Sequence, residues 1–403
     1  MEELILGNLT QRKIGYGIVQ PGENVSSGVH IIKVNNIITG LTQLSNLDST
    51  TTEIEKKYSR TRLRGNELII SIVGTIGKTA IVPKEFAGCN IVRAIALIDI
   101  QDRILTLWVK YYIDSPKGQE YIKENLNTTV QPTLNIKSLS NMPIPFYSTT
   151  YTQKVVDILS TIDNKILLNK QINENLEQQA QALFKSWFVD FEPFKDGKFV
   201  DSELGMIPEG WKVVETNKIM RISKESINPT KNPNRFYAHY SIPAFDEIGL
   251  PIFQYGNDIK SNKQKVLDNM TLVSKLNPRI KRVWFIDKAC ENAICSTEFI
   301  PYLSLNNSPY FLYCYLNSNI FYDSIMSFVN GATGSHQRFQ ANDTLKFLFP
   351  YNEEVICKFN SIVSGVLIHK SRLIDENMKL SQLRDTLLPK LMSGELKTND
   401  FND

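Results

Sequence analysis

From Tyr151 to Phe188 the chain reads YTQKVVDILSTIDNKILLNKQINENLEQQAQALFKSWF. Its apolar residues fall at Val155, Leu159, Ile162, Ile166, Ile172, Leu176, Ala180, Leu183 and Trp187. Most steps are three or four, the spacing of one apolar seam along a helix. Asn169 lies on that seam, where a polar side chain can fix register. Thr150 and Gln153 fit a capping box at the start, and Phe191-Glu192-Pro193 ends the helix. At 1.5 Å per residue such a helix is about 57 Å long.

A second stretch repeats the first. Ile172-Asn173-Glu174-Asn175-Leu176 is echoed by Ile374-Asp375-Glu376-Asn377-Met378, a shift of 374 − 172 = 202 in a chain of 403 residues. This second helix is read from Glu353 to Met392, with Asn352 as its N-cap. Its seam is Val355, Phe359, Ile362, Val366, Leu373, Asn377, Leu380, Leu383, Leu387 and Leu391. Pro389 should kink or end it, and Gly394 fits a C-terminal cap. Periodicity alone also allows a helical hairpin that serves only as core or as a dimer seam. Each seam needs a partner, and the best partner is the sister helix, antiparallel, holding two modules at a fixed distance.

Each long helix closes a block of mixed strand and turn. The divisions are residues 1–149, the helix 150–190, a linker and second module over 191–350, the helix 351–392 and a tail, 393–403. In the first module, strands are read at Gly28–Val34, Glu67–Val73, Ile91–Ile98 and Met142–Phe146, with a helix over Leu105–Asp114. In the second, strands are read at Thr271–Ser274, Arg282–Ile286 and Thr344–Phe349, with a helix opening at Tyr310–Tyr315. Gly65–Ser71 resembles Asp268–Ser274, so the modules echo each other weakly. The expected fold is mixed α+β: two globular domains separated by two long antiparallel helices forming a coiled coil, with a pseudo-two-fold internal repeat.

Bulk properties exclude more than they assign. A net charge of +3 does not by itself indicate a nucleic-acid binder, so local clustering has to carry that reading. No apolar run approaches the roughly 20 residues of a membrane span, and Met1-Glu2-Glu3 does not begin a signal peptide. The five cysteines, Cys89, Cys290, Cys295, Cys314 and Cys357, read as reduced thiols in a cytoplasmic protein. Cys290 and Cys295 form the one close pair, without the further ligands of a zinc site.

Chemistry on the chain itself finds little support. Gly74-Thr75-Ile76-Gly77-Lys78-Thr79 follows a strand and invites comparison with a phosphate-binding loop, but Ile72 stands where that pattern requires its first glycine. A turn presenting Thr75, Lys78 and backbone amides to a DNA phosphate fits better. There is no acidic cluster for a nuclease and no [DNS]-P-P-[YF] tetrapeptide of an amino-methyltransferase. His30, His239, His336 and His369 are scattered.

Candidate DNA contacts are polar and basic loop residues. In the first module these are Arg60, Arg62 and Arg64, an alternating run that would otherwise be a solvated strand face, with Thr75, Lys78, Arg93 and Gln131 in or beside turns. In the second they are Lys275, Arg279, Lys281 and Arg282, then Ser335, His336, Gln337 and Arg338 after Gly331-Ala332-Thr333-Gly334. Gln and Arg can make paired contacts to adenine and guanine edges. Thr128-Thr129-Val130-Gln131 is the corresponding loop of the first module.

Four stretches carry a family resemblance: Gly74–Lys78; LEQQAQALFKSWFVDFEPF from Leu176 to Phe194; LGMIPEGW from Leu204 to Trp211; and LRDTLLPKLMSGEL from Leu383 to Leu396. In this order, over nearly the whole chain, they resemble the DNA-specificity subunit of type I restriction-modification systems. The second module departs from the first, with Val273-Ser274-Lys275-Leu276-Asn277-Pro278-Arg279 where the first has its Gly-Thr-Ile-Gly-Lys turn, which implies a different half-site. The resemblance implies two target-recognition domains reading a bipartite site on double-stranded DNA, and helices that set its spacer and hold two methyltransferase subunits. The seam residues Ile162, Ile166, Asn169, Ile172, Leu176, Leu183, Trp187, Leu373, Asn377, Leu380, Leu387 and Leu391 would form that scaffold. It further implies a non-catalytic chain in the cytoplasm of a bacterium or archaeon, with no cofactor of its own. S-adenosylmethionine, ATP and magnesium would belong to the methyltransferase and restriction subunits. The alternatives are a nucleotide-binding enzyme using Gly74–Thr79, or a coiled-coil scaffold without a DNA role.

Overall fold

The computed structural model describes residues 2–41, 43–127, 132–328 and 337–396. Two compact units emerge: Met1–Leu167 with Asn377–Asp403, and Leu168–Glu376. Each therefore contains one module and a portion of both long helices. Among the described residues, no helix is long and apolar enough to cross a membrane.

The first unit is built on a four-stranded antiparallel sheet. Its strands are β1 (Arg12–Tyr16), β2 (Leu68–Ser71), β3 (Thr79–Ile81) and β4 (Ile95–Asp99), in the order β1-β4-β2-β3. All four residues of β2 are buried, which explains why Leu68-Ile69-Ile70 reads as a continuous apolar run rather than an alternating one. Leu68 and Ile70 pack with Trp108, Val109 and Ile113 of α1 (Arg103–Asp114). Ile69 points to the other face, toward Phe86 and Ile91. Helix α2 (Pro116–Glu124) follows α1 after one residue, Ser115, which caps it through the amide of Gly118. Alongside the main sheet, Val29–Ile32 runs parallel to Asn90–Ile91, and Glu2–Ile5 pairs with Pro143–Phe146. The chain then enters α3 (Thr149–Phe188). Its Val155, Val156 and Leu159 join the core of this unit together with Leu388, Leu391 and Met392. Trp108 donates its indole N–H to the Pro145 carbonyl at 2.7 Å, tying α1 to the strand that feeds α3.

The second unit repeats this arrangement. Strands β5 (Met220–Ile222), β6 (Met270–Ser274), β7 (Val283–Ile286) and β8 (Phe299–Ser304) lie in the order β5-β8-β6-β7, again all antiparallel. Helices α4 (Pro309–Leu316) and α5 (Asn319–Met326) take the places of α1 and α2. Phe236–Tyr240 runs parallel to Ala293–Cys295, and Lys212–Glu215 pairs with Leu348–Tyr351. The last strand leads into α6 (Glu353–Met392). Its core is aromatic: Phe184 and Phe188 of α3 meet Phe311, Tyr315, Phe349 and Phe359.

Within each unit α3 and α6 pair antiparallel. In the first, Tyr151 Oη donates to the Leu391 carbonyl (2.7 Å), Arg384 bonds Asp163 (3.0 Å), and Asn377 Nδ2 donates to the Ile166 carbonyl (3.3 Å). In the second, fully buried Asn169 donates to Glu376 Oε2 at 2.8 Å, and Lys370 pairs with Glu177.

Several expectations need correction. The α3 N-cap is Ser148, whose hydroxyl accepts from the Tyr151 amide at 3.2 Å, rather than Thr150. Residues 91–98 form two strands broken at Val92–Ala94, because Asn90–Ile91 joins the small parallel pair and Ile95–Asp99 the main sheet. Ala341–Lys346 is a 3-10 turn, and the strand is Leu348–Tyr351. Pro389 does not stop α6, which runs to Met392. Only the last turn lies beyond it, so a single lost backbone bond is tolerated near the end. Gly394, at φ 75°, then caps the helix. On α6, Ile362 and Leu383 are 47% exposed, while Val363 and Leu367 are buried. The module packs against the flank of the helix, so the buried stripe follows that contact as well as the sister helix.

Candidate nucleic-acid interface

In the first unit the β2–β3 connection is a tight turn with Gly74 at φ 79° and Gly77 at φ 85°, conformations open to glycine but strained for other residues. Ser71 organises it. Its hydroxyl donates to the Thr75 carbonyl (2.5 Å) and accepts from the Lys78 amide (2.9 Å), while its carbonyl accepts from the Gly77 amide (2.9 Å). Val73 then bridges Thr133, and the Leu134 amide donates to the Ile72 carbonyl at 2.9 Å. The turn thus forms a ledge with the segment that follows residues 128–131. Thr75 and Lys78 are exposed on it, and Lys78 has no side-chain partner among the described residues. Arg93, also exposed, precedes Ala94, whose carbonyl accepts from the Ile72 amide.

This geometry argues against the nucleotide-binding alternative. A phosphate-binding loop runs into a helix whose free N–H groups face the phosphates. Here Lys78 runs directly into strand β3, and Ser71 takes the amides of Gly77 and Lys78.

The second unit builds a matching ledge with different chemistry. The Ser274 amide donates to the Arg282 carbonyl (3.0 Å), as Ser71 does to Lys78 (2.9 Å). Leu276 bridges Arg338, and the Asn277 amide donates to the Gln337 carbonyl at 2.8 Å. Asn277 takes φ 51° in this turn. Lys275, Arg279, Lys281, Gln337 and Arg338 are therefore gathered at one end of β6. Gln131, Ser335 and His336, with the loops 128–131 and 329–336 around them, lie outside the described residues.

Not every predicted cation is free. Arg282 is only 8% exposed, and its guanidinium grips Asp246 at 2.7 and 2.8 Å, so the expectation of a surface contact there is not met. Arg338 makes a paired contact with Glu298 at 3.1 and 3.2 Å. Lys281 donates to Asn319 (2.6 Å) and lies over the Tyr322 ring (5.0 Å). Burial lowers its pKa, with Asp323 opposing. Arg279 stays exposed.

The arginine run sits elsewhere. Arg60, Arg62 and Arg64 precede β2, at the opposite end of that strand from the turn. Arg12 donates to the carbonyls of Arg60 (3.4 Å) and Arg62 (2.8 Å), and pairs with Glu67 (2.7 Å) and Asp99 (2.5 Å). Arg62 closes on the buried carboxylate of Glu55, whose pKa is lowered chiefly by that hydrogen bond. Arg60 and Arg64 remain exposed. No spacing in the sequence pointed to Arg12, Glu55, Asp246 or Glu298 as the partners, because each is brought in by the fold.

Among the described residues no three His, Cys, Asp or Glu side chains gather as a metal site requires. Cys295 is buried, and desolvation pushes its thiol up to about 12, while Cys290 is exposed.

Elsewhere in the second unit, Glu177 of α3 accepts from Tyr313 (2.5 Å) and Asn317 (2.6 Å) and pairs with Lys370 of α6. Burial alone would raise its pKa, but the Lys370 charge and these hydrogen bonds outweigh burial and hold it below 4.5. A depressed carboxyl stabilises the fold above its unfolded pKa, and that stabilisation is lost as pH falls through the folded value. Glu177→Gln should therefore destabilise by about 1–3 kcal/mol at pH 7. The gap to wild type should narrow below pH 4.5 in denaturant titrations; a gap independent of pH would remove the charge from the account.

The comparisons with known proteins agree on one family. A family model described as "Type I restriction modification DNA specificity domain" matches residues 20–178. The chain is 28% identical over 321 residues to the type I restriction enzyme MjaIX specificity subunit of Methanocaldococcus jannaschii, covering 75% of this chain and 71% of that one. It is 32% identical over 181 residues to the type I restriction enzyme EcoBI specificity subunit of Escherichia coli, covering 43% and 37%. It is 48% identical over 64 residues to the HindI specificity subunit of Haemophilus influenzae, covering 16% and 14%. In fold it is similar to the type I restriction-modification S subunit from M. genitalium, with a TM-score of 0.54 at 15% identity over 97% of this chain and 95% of that one.

Proposed function

We propose, from the premise that this chain is a DNA-specificity subunit of the type I restriction-modification family, that each module reads one half of a bipartite site on double-stranded DNA. The observation that carries this is the repeated ledge: the same four-strand order ends in both modules in a turn bridged to a second segment, with different side chains on it. Equal scaffolds with unequal faces suit two readers of different sequences. Lys78, Thr75 and Arg93 serve the first half. Lys275, Arg279, Lys281, Gln337 and Arg338 serve the second, with Arg338 moving from Glu298 to DNA. Arg60 and Arg64 contact phosphates, which position without specifying.

The paired helices set the number of unread base pairs between the halves and dock two methyltransferase subunits, with restriction subunits joining them. The chain itself is non-catalytic and binds no cofactor. S-adenosylmethionine, ATP and magnesium act on the partners, in the cytoplasm of a bacterium or archaeon.

The test is salt-dependent binding of the full-length chain to duplex DNA. Releasing condensed counterions makes log K fall linearly with log salt. Lys78→Ala should weaken binding to all sequences alike and make that slope shallower by about 1. Binding that does not depend on salt, or no binding at all, would sink the reading.

A further inference from the structure

We propose that Asp163 of α3 and Arg384 of α6 are positioning residues for the first DNA-reading turn, acting on it through an unbroken chain of polar contacts inside the first unit. The inference rests on the function proposed above and adds a mechanism for how the helices govern reading.

The chain begins on the turn. Thr79, directly after Lys78, donates its hydroxyl to Asp114 Oδ1 at 2.6 Å. Lys110, one helical turn earlier on α1, donates to Asp114 Oδ2 at 2.9 Å and lies 3.8 Å from Asp163 Oδ2. Tyr111 Oη donates to that same Asp163 oxygen at 2.9 Å. Arg384 takes the other oxygen at 3.0 Å and also pairs with Asp385 at 2.9 Å. The charges alternate along the whole path: Asp114, Lys110, Asp163, Arg384, Asp385. Burial alone would lower the pKa of Lys110, but the two neighbouring carboxylates outweigh it and keep the ammonium charged.

A second strut supports the same turn. Gln119 of α2 donates its amide both to the Gly77 carbonyl (3.1 Å) and to the Ile113 carbonyl (2.8 Å). A Cβ on Gly77 would stand 2.8 Å from Gln119 Oε1, so α2 presses directly on the turn. Lys78, Lys110, Asp114, Gln119 and Arg384 all line one cavity of about 270 Å³. The exposed cation assigned to DNA and the cation on the distal helix thus face the same small space.

Such a path is costly to interrupt. Removing one partly buried ion leaves its neighbours uncompensated, and they must shift to recover a partner. Without Arg384, Asp163 draws Lys110 toward itself, Asp114 loses its cation, and the hydroxyl of Thr79 follows Asp114. The displacement arrives at a turn whose contacts to base or phosphate tolerate little error.

The test selects duplexes from a random-sequence library with the full-length chain and with its Arg384→Gln, Asp163→Asn, Arg384→Lys and Lys370→Gln variants. Arg384→Gln and Asp163→Asn should lower discrimination roughly 3- to 30-fold at the half read by the first module, and leave the other half as it was. Arg384→Lys should restore most of it, since the charge remains. Lys370→Gln, which breaks the helix pair of the second unit, should spare the first half. Equal losses at both halves, or an unchanged first half, overturn the proposal. Hydrogen exchange without DNA gives an independent reading: the Gly77 and Lys78 amides should exchange faster in Arg384→Gln than in Lys370→Gln, and equal rates overturn the proposal. Wild-type chain that selects no bipartite sequence would instead overturn the proposed function beneath it.

Discussion

On the proposed function, exchanging residues 1–149 for the corresponding module of a type I specificity subunit is expected to rewrite one half of the DNA target and leave the other half unchanged. The ledge of the first unit is made only of residues from that segment: Ser71, the turn it organises, and the bridge to Thr133. A specific complex is typically 4–10 kcal/mol tighter than a non-specific one, and each wrong base pair costs about 1–3 kcal/mol. Losing several pairs of one half-site therefore removes most of the preference for the old sequence, on the order of a thousandfold. The graft must keep the side chains that meet the long helices. Trp108 packs edge-on to Tyr147 and Tyr151, and Tyr111 holds Asp163. A module lacking them would fold poorly, whatever its reading face. Sequencing of duplexes selected by the chimaera checks the outcome. If both halves changed together, the two modules would not be independent readers.

The second large effect concerns stability. Phe188 is fully buried at the C-terminal end of α3, with ring centroids 5.1–5.9 Å from Phe311, Phe359, Trp211 and Phe349. Phe188→Ala leaves a cavity walled by rigid rings that cannot collapse into it, and a loss of about 3–5 kcal/mol is expected. Leu168→Ala, at a half-exposed position on the same helix, should stay within about 0.5 kcal/mol of wild type. Since the chain holds two compact units, unfolding should be followed by probes in each, and the transition of the second unit should move most. Equal shifts for the two variants would mean that the aromatic cluster does not hold this unit together.

The two long helices and their internal repeat were legible because amphipathic periodicity is a local property: neighbouring residues alone place Val155, Leu159 and Ile162 on one face. Asn169 was equally legible, and its amide does lie on the seam, bonded to Glu376. The α6 stripe was misread at Ile362 and Leu383 because a helix touching both a sister helix and a module buries more than one line of residues. The likeness of the modules was barely visible. Strand order depends on pairings between distant segments, and such pairings survive the exchange of nearly every side chain.

The candidate site divides along the same line. Gly74 and Gly77 announced a turn, and Lys78 its charge, since backbone conformation at glycine and the presence of a cation are written in single residues. Whether a cation is available is not. Arg282 and Lys78 occupy equivalent places in the two turns, yet one is locked to Asp246 and the other is open to solvent. Sequence by itself determined the helices, the duplication and the resemblance to type I specificity subunits. Only the tertiary structure decided which charges are neutralised and which are presented, because a carboxylate 7 to 87 residues away in the chain becomes a neighbour only when the sheets and helices close around it.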